Sequence, residues 1–278
     1  MPGRWRDSAL TRLTPEILHR LYVEENLRDA EIAARAGCSR NRVTAIRAKY
    51  GIATRYSAER RDLPDMTPRQ MDVMVGSLLG DGCIRRSRTD RESHYEEQHC
   101  TAQVEYLEWK AREFTSLRPF FTKRTLNAGG LMVRGIRHGV REMRLPASPE
   151  LSALRAAWYP DGKKIVPADL QLTPLSIAVW YMDDGSYARP NYGDCATLCS
   201  FGFTEMENQR LVSLIEETTG ARFRLIRTKP KGYAPRVGLR AYGESCRAFL
   251  RAVEPFIHPV MRYKLGRIAS LPAIACEV

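Results

Sequence analysis

Residues 180–186 read WYMDDGS: two aspartates, Asp183 and Asp184, close an apolar run, and a glycine follows. The carboxyl end of a helix already carries partial negative charge, so Lys, Arg or His suits that position and a carboxylate does not. A cation from outside the chain is the expected compensation. The same arrangement stands 103 residues earlier, where PRQMDVMVGSLLGDGCIRR (68–86) runs through Gly80-Asp81-Gly82. Behind each aspartate comes a polar, strand-like stretch, then a helical pattern over 103–117 or 205–219, then strands rich in Arg and Lys and a further helix. Each copy closes on a lysine beside Ile or Leu, Lys164 in KKIVP and Lys264 in MRYKLG, 83 and 80 residues after its aspartate. The chain reads as two copies of one unit of about 100 residues.

Small residues, Gly76 in one apolar segment and Ala178 in the other, allow two helix backbones to approach closely. Packed side by side, the helices bring Asp81 and Asp184 together at one end. Two adjacent carboxylates repel unless one takes a proton or a cation sits between them. Hard divalent ions, Mg2+ or Mn2+, prefer such oxygen ligands.

Upstream, LTPEILHRLYVEENLRDAEIAARAGCSRNRVTAIRAKYGI (13–52) reads as three helices. Thr14 with Pro15 starts the first, Asp29 is placed to cap the second, Gly37 ends it, and Ser39 caps the third. The spacing Ala33, Gly37, Val43, Ile46 resembles the helix-turn-helix family. In such a domain the third helix lies in the major groove, and Arg40, Asn41, Arg42, Thr44 and Arg47 are its outward candidates for DNA contact. Residues 1–56 form the expected helix-turn-helix domain and 57–67 a linker, followed by units at 68–168 and 169–278.

The whole chain of 278 residues carries 44 basic and 32 acidic side chains, net +12, which points to a polyanionic partner. Seven cysteines, an odd number, show no zinc-ligand spacing and suit a reducing compartment. The first residues contain no apolar signal segment, and no stretch approaches the roughly 20 apolar residues of a membrane span, so an intracellular protein of the cytoplasm or nucleoid, without membrane contact, is expected. The chain begins with Met and closes ACEV with no terminal His-Asn, so a free-standing or intron-encoded protein is expected rather than a self-splicing insert.

MVGSLLGDG (74–82) and IAVWYMDDG (177–185) resemble the two motif copies of single-chain LAGLIDADG homing endonucleases, the second most like the intron-encoded branch. The resemblance spans about residues 68–270, including the closing YKL. It implies an α+β fold: two pseudo-symmetric αββαββα units whose sheets form a DNA-binding saddle, with the motif helices between them. It also implies a monomer that cuts one phosphodiester in each strand of a long, asymmetric duplex site with Mg2+ or Mn2+. Asp81 and Asp184 become the metal ligands, with the carbonyls of Gly80 and Asp183 as secondary ligands and the Asp183 carboxylate in a supporting place. Lys164 and Lys264 match the basic residue near the attacking water or the phosphate. Gln98 matches a polar residue near the first centre, and Phe201 stands where relatives often carry Gln, which implies a nicking bias. The DNA-facing strands would supply Arg85, Arg86, Arg88, Arg134, Arg137, Arg189, Arg222, Arg224, Arg227, Lys229, Lys231, Arg236 and Arg240. Two other functions fit the same scaffold, an intron RNA maturase and a DNA-binding regulator that does not cut. The added helix-turn-helix favours duplex DNA, since side chains cannot enter the deep groove of A-form RNA.

Overall fold

The computed structural model describes residues 13–25, 27–52, 63–86, 92–122, 131–133, 136–190, 193–228 and 236–270, with backbone alone for 131–133, 136–138 and 267–270. Arg88, Arg134, Lys229 and Lys231 lie outside the described residues, and of Arg137 only the backbone is described. The chain divides into two compact units, Met1–Leu63 and Pro64–Val278.

In the first unit, α1 (Pro15–His19) begins where the Thr14 hydroxyl accepts from the Ile17 amide at 3.3 Å, and a π-helical turn, Arg20–Glu24, continues it. Helix α2 (Asp29–Ala36) ends at Gly37, whose φ of 64° is a left-handed conformation that glycine adopts without a Cβ clash. Helix α3 (Arg40–Lys49) is capped by Ser39, whose hydroxyl accepts from the Arg42 amide. Leu13, Leu18, Tyr22, Ile32, Ala33, Val43 and Ile46 fill the core between them. Asp29 does not cap α2; it is the first helical residue, and its carboxylate turns to α3.

The second unit runs α4 (Pro68–Leu79), β1 (Cys83–Arg86), β2 (Ser93–Cys100), α5 (Val104–Glu113), β3 (Phe120–Phe121), β4 (Leu131–Val133), β5 (Ile136–His138), β6 (Val140–Ser148) and α6 (Pro149–Trp158). It then repeats as α7 (Pro174–Asp184), β7 (Gly185–Ala188), β8 (Cys195–Leu198), α8 (Glu205–Thr219), β9 (Arg224–Thr228), β10 (Arg236–Tyr242) and α9 (Gly243–Val253), closed by a 3-10 segment, Pro259–Ser270. Two four-stranded antiparallel sheets result, ordered β1-β2-β6-β3 and β7-β8-β10-β9, with the hairpin β4–β5 added in the first half. The fold is α+β, and the same strand order in both halves is the structural counterpart of the repeat.

Alternation assigns the two faces of each sheet. Tyr95, Glu97, Met143 and Leu145 in the first, and Ala196, Leu198, Leu239 and Ala241 in the second, are buried against helices. Helices α4 and α7 pack against each other between the two halves. At Gly76 an added Cβ would sit 2.3 Å from the Ser176 carbonyl oxygen and 2.6 Å from Val179 Cβ, so the backbones touch and no larger residue fits. Helix α7 is buried from Leu175 through Met182, which is why its sequence shows an unbroken apolar run in place of a stripe. Both helices start at a threonine, Thr67 and Thr173, that exchanges hydrogen bonds with the residue three positions on. The described cysteines are all free thiols. Among the described residues no helix is long and apolar enough to cross a membrane.

Candidate active site

The ends of α4 and α7 lie together. Asp81 follows α4, and its backbone N–H points at Asp183 Oδ2, 3.4 Å away. Gly80 is placed so that a Cβ there would come within 2.5 Å of Asp183 Cβ. The Asp81 side chain is 40% exposed. The carboxyl of Asp184 is pushed up to about 6, by burial first and by the Asp81 carboxylate second, with Lys164 and Lys264 working against both. Two acids from distant parts of the chain therefore feel each other at one seam.

The charge at the helix ends is compensated from within the chain. Lys164 Nζ donates to the carbonyls of Leu78 and Gly82, each at 2.8 Å, and lies 3.5 Å from that of Gly80. Lys264 Nζ does the same for α7, donating to the carbonyls of Tyr181 (3.3 Å), Met182 and Asp183 (3.1 Å). Each lysine is a cationic cap on carbonyls that a helix end leaves without partners. This corrects the expectation that an external cation alone would do so. The carbonyls of Gly80 and Asp183, expected as metal ligands, face these ammonium groups, at 3.5 Å and 3.1 Å. Burial lowers the pKa of both lysines, while Asp81, Asp183 and Asp184 act in the opposite direction.

Below Asp183 lies a buried polar cluster that the sequence did not announce. Lys110, fully buried on α5, donates to both oxygens of Asp183 at 2.9 Å and to Glu97. Tyr106 donates to Asp183 at 2.8 Å and Tyr95 to Glu97 at 2.6 Å. His99 Nε2 lies 2.8 Å from Glu97. Burial disfavours every charge here, yet opposite charges prevail for three of them: Glu97 is held at about 2, chiefly by Lys110, while Lys110 is raised by Asp183 and Glu97 and His99 by Glu97. Asp183 stays above the ordinary carboxylate range because burial outweighs Lys110.

Among the described residues the second half has no such cluster. Cys83 pairs with Glu96 as Ser186 pairs with Thr197, so Glu97 corresponds to Leu198. The helix caps Gln103 and Thr204 then align Lys110 with Leu211 and His99 with Ser200. Leu198 and Leu211 are fully buried. Gly80, the counterpart of Asp183, sends no carboxylate toward them. An α5 helix read alone, VEYLEWKARE, places Lys110 among apolar neighbours at helical spacing. That is the signal by which it could have been found.

Gln98, matched to a polar residue near the first centre, lies on the outer face of the first sheet. It is exposed there and donates to Glu142 at 2.8 Å. Its neighbour His99, turned by the pleat to the helix side, stands 3.9 Å from Asp81 Oδ2. Asp81, His99 and Asp183 bring ligand atoms within 4.8 Å of one another. Both oxygens of Asp183 already accept from Lys110, which leaves it poorly available to an ion. Asp81, 40% exposed, and Asp184, driven toward protonation by burial and then by Asp81, suit a hard divalent cation, and these two residues would hold it.

The cationic candidates separate by face. Arg224, Arg236 and Arg240 lie on the outer face of the second sheet, away from the helices, with Arg224 directly opposite Arg240. Arg85 lies on the outer face of the first sheet, whereas Arg86, opposite Ser93, falls on the other. Arg189 follows β7, 3.8 Å from Asp194. Two more meet acids of α8: Arg222, 80% exposed, bonds Glu216 at 2.9 Å, and Arg227, off the Arg224 face by alternation, pairs with Glu205. Arg47, expected outward, is turned inward. It is 4% exposed, lies 3.2 Å from Asp29, donates to the Ile52 carbonyl and stacks 4.7 Å over Tyr22. Thr44 bonds Asp29 at 2.8 Å but remains exposed, as do Arg40 and Asn41, while Arg42 is half-buried.

The profile of the LAGLIDADG DNA endonuclease family matches residues 71–243. Protein RecA of Mycobacterium shimoidei is 31% identical over 220 residues, 72% of this chain and 47% of that protein. The chain thus spans about half the length of the RecA relatives it matches. An uncharacterized protein of Methanocaldococcus jannaschii is 29% identical over 89% of this chain and 94% of its own, and cytochrome b mRNA maturase bI2 of Debaryomyces hansenii 25% over 70% and 73%. Among solved structures, the homing endonuclease I-WcaI bound to its DNA recognition sequence superposes with a TM-score of 0.61 at 20% identity, over 76% of this chain and 90% of that one. On the matched motif segment and the doubled α+β fold, the chain belongs to the LAGLIDADG DNA endonuclease family.

Proposed function

We propose that this chain is a site-specific double-strand DNA endonuclease that hydrolyses one phosphodiester per strand with Mg2+ or Mn2+. The observation that carries the reading is the meeting of Asp81 and Asp184 at the ends of two helices in backbone contact, where burial and mutual repulsion drive Asp184 up to about 6. A divalent ion, when bound, supplies a polarised phosphate and an activated water. The chain supplies the rest: Asp81 and Asp184 hold the seat, and Lys164 and Lys264 fix the helix ends that carry them. The outer sheet faces bear the duplex, and the exposed edge of α3, with Arg40, Asn41 and Thr44, extends the contact. The two halves sit in one chain, so the protein acts as a monomer on an asymmetric site. The test is incubation with its own genomic locus lacking the insertion, with and without Mg2+. Cleavage lost in Asp81→Asn and in Asp184→Asn supports the reading.

A second reading is favoured by one relative, the bI2 maturase, which is similar over most of its own length. Tight binding to intron RNA without a cut in the DNA locus would select it.

A further inference from the structure

The two outer sheet faces differ in charge in a way that neither the repeat nor the family predicts. On the first sheet the register places Arg85, His94, Glu96, Gln98, Glu142 and Arg144 on one face. They pair with one another. Glu96 lies against Arg85, 3.2 Å from Arg144 and 3.4 Å from His94; Glu142 accepts from Arg144 and Gln98. Two carboxylates cancel two guanidiniums. On the second sheet the same face carries Arg224 and Arg240 and, among the described residues, no carboxylate. Arg240 donates to the Thr197 hydroxyl at 2.9 Å, which orients it without neutralising it. Arg224 and Arg240 are directly opposed across the β9–β10 ladder. Like charges so placed are destabilising unless a polyanion lies over them.

We propose that the two halves divide the work of holding DNA. The second sheet is the electrostatic clamp on the phosphate backbone, and the first sheet is a charge-balanced hydrogen-bonding surface that adds little to non-specific affinity. The physical reason is counterion release: only guanidiniums without a partner carboxylate displace condensed ions, each contributing about 0.9 to the slope of log affinity against log salt. The paired guanidiniums keep donors for base edges, Arg toward guanine, while the buried Glu96 and Glu142 hold them in place. This division rests on the endonuclease reading only for its choice of duplex DNA as the partner.

The experiment measures binding of the full chain to a mixed-sequence duplex by fluorescence anisotropy, without divalent metal, between about 50 and 200 mM salt. The paired substitution Arg224→Gln/Arg240→Gln is expected to flatten the slope by about 2, so that its deficit against the wild type is about tenfold larger at the low end of that range than at the high end. Glu96→Gln/Glu142→Gln is expected to act in the opposite sense, raising affinity several-fold and steepening the slope by about 1 to 2, because Arg85 and Arg144 are released to phosphate. Circular dichroism and thermal unfolding of each variant establish that it is folded. A slope unchanged in the Arg224/Arg240 variant, or flattened in the Glu96/Glu142 variant, overturns the division while leaving duplex binding intact. A wild-type chain that shows no salt-dependent duplex binding removes both the division and the reading beneath it.

Discussion

Asp184→Asn should make the metal-free protein more stable while destroying its proposed activity. The carboxyl of Asp184 is raised from an ordinary value of 3.8 to about 6, through burial and then the Asp81 carboxylate. A rise of that size corresponds to about 3 kcal/mol, a ceiling that residual solvent contact reduces. A carboxyl whose folded pKa exceeds its unfolded one destabilises the fold once ionised. The penalty is absent below pH ~4, grows as pH rises between the two values, and is complete above pH ~6. Asparagine keeps the shape and removes the charge. At pH 8 in EDTA it should raise Tm by up to about 6–12 °C, taking roughly 2–4 °C per kcal/mol for a body of 150–250 residues. At pH 4 the gain should vanish. Mg2+ or Mn2+ should raise the Tm of the wild type at pH 8 and leave the variant unmoved, since a cation between two carboxylates removes the same repulsion. Differential scanning calorimetry at the two pH values, with and without metal, checks all three statements. A variant equally or less stable than the wild type at pH 8 would refute the claim that these acids are forced together against their electrostatics.

Four further outcomes follow from other contacts. Lys264→Met removes the donor to three carbonyls at the end of α7 and should cost about 2–3 kcal/mol in urea unfolding, a loss that a lysine serving only phosphate would not show. Lys110→Met strands two buried carboxylates and should cost about 3–5 kcal/mol, whereas Lys110→Leu/Glu97→Leu/Asp183→Gly, which copies the second half, should recover most of it by thermal unfolding. Arg47→Ala should lower the protection of α2 and α3 amides in hydrogen exchange while leaving those of α4 and α7 unchanged, because its partners Asp29, Ile52 and Tyr22 are all in the first unit. On acidification, Glu96 and Glu97, both held at about 2, should hold stability level above pH ~5 and withdraw it as pH falls toward 2, measured as Tm against pH.

The repeat, both motif helices, the α5 and α8 helices and the paired lysines are legible because each is written in local spacing. Apolar runs, threonine starts and Gly-Asp-Gly ends need no tertiary information. Strand faces are harder. Arg222 and Arg224 are two apart and read as sharing one surface, but β9 starts only at Arg224, and Glu216 on α8 draws Arg222 to the helix side. Arg47 reads as one of several outward cations on α3, and only the fold reveals that Asp29 and Tyr22 enclose it. Gln98 and His99 are neighbours in sequence and occupy opposite faces of β2, so choosing between them requires the register. The cluster around Lys110 joins residues from β2, α5 and α7, far apart in the chain, and no local pattern links them.

Gly80 and Asp183 face each other at the crossing of α4 and α7, and the glycine has no room to be anything else. The two halves are alike in topology yet not interchangeable. A chain assembled from two first halves would leave a buried ammonium in each without its second carboxylate. One assembled from two second halves would press a pair of aspartates together above leucines. Any chimera that exchanges halves between relatives must therefore carry Asp183, Lys110 and Glu97 as a set, whatever DNA sequence its sheets were chosen to read.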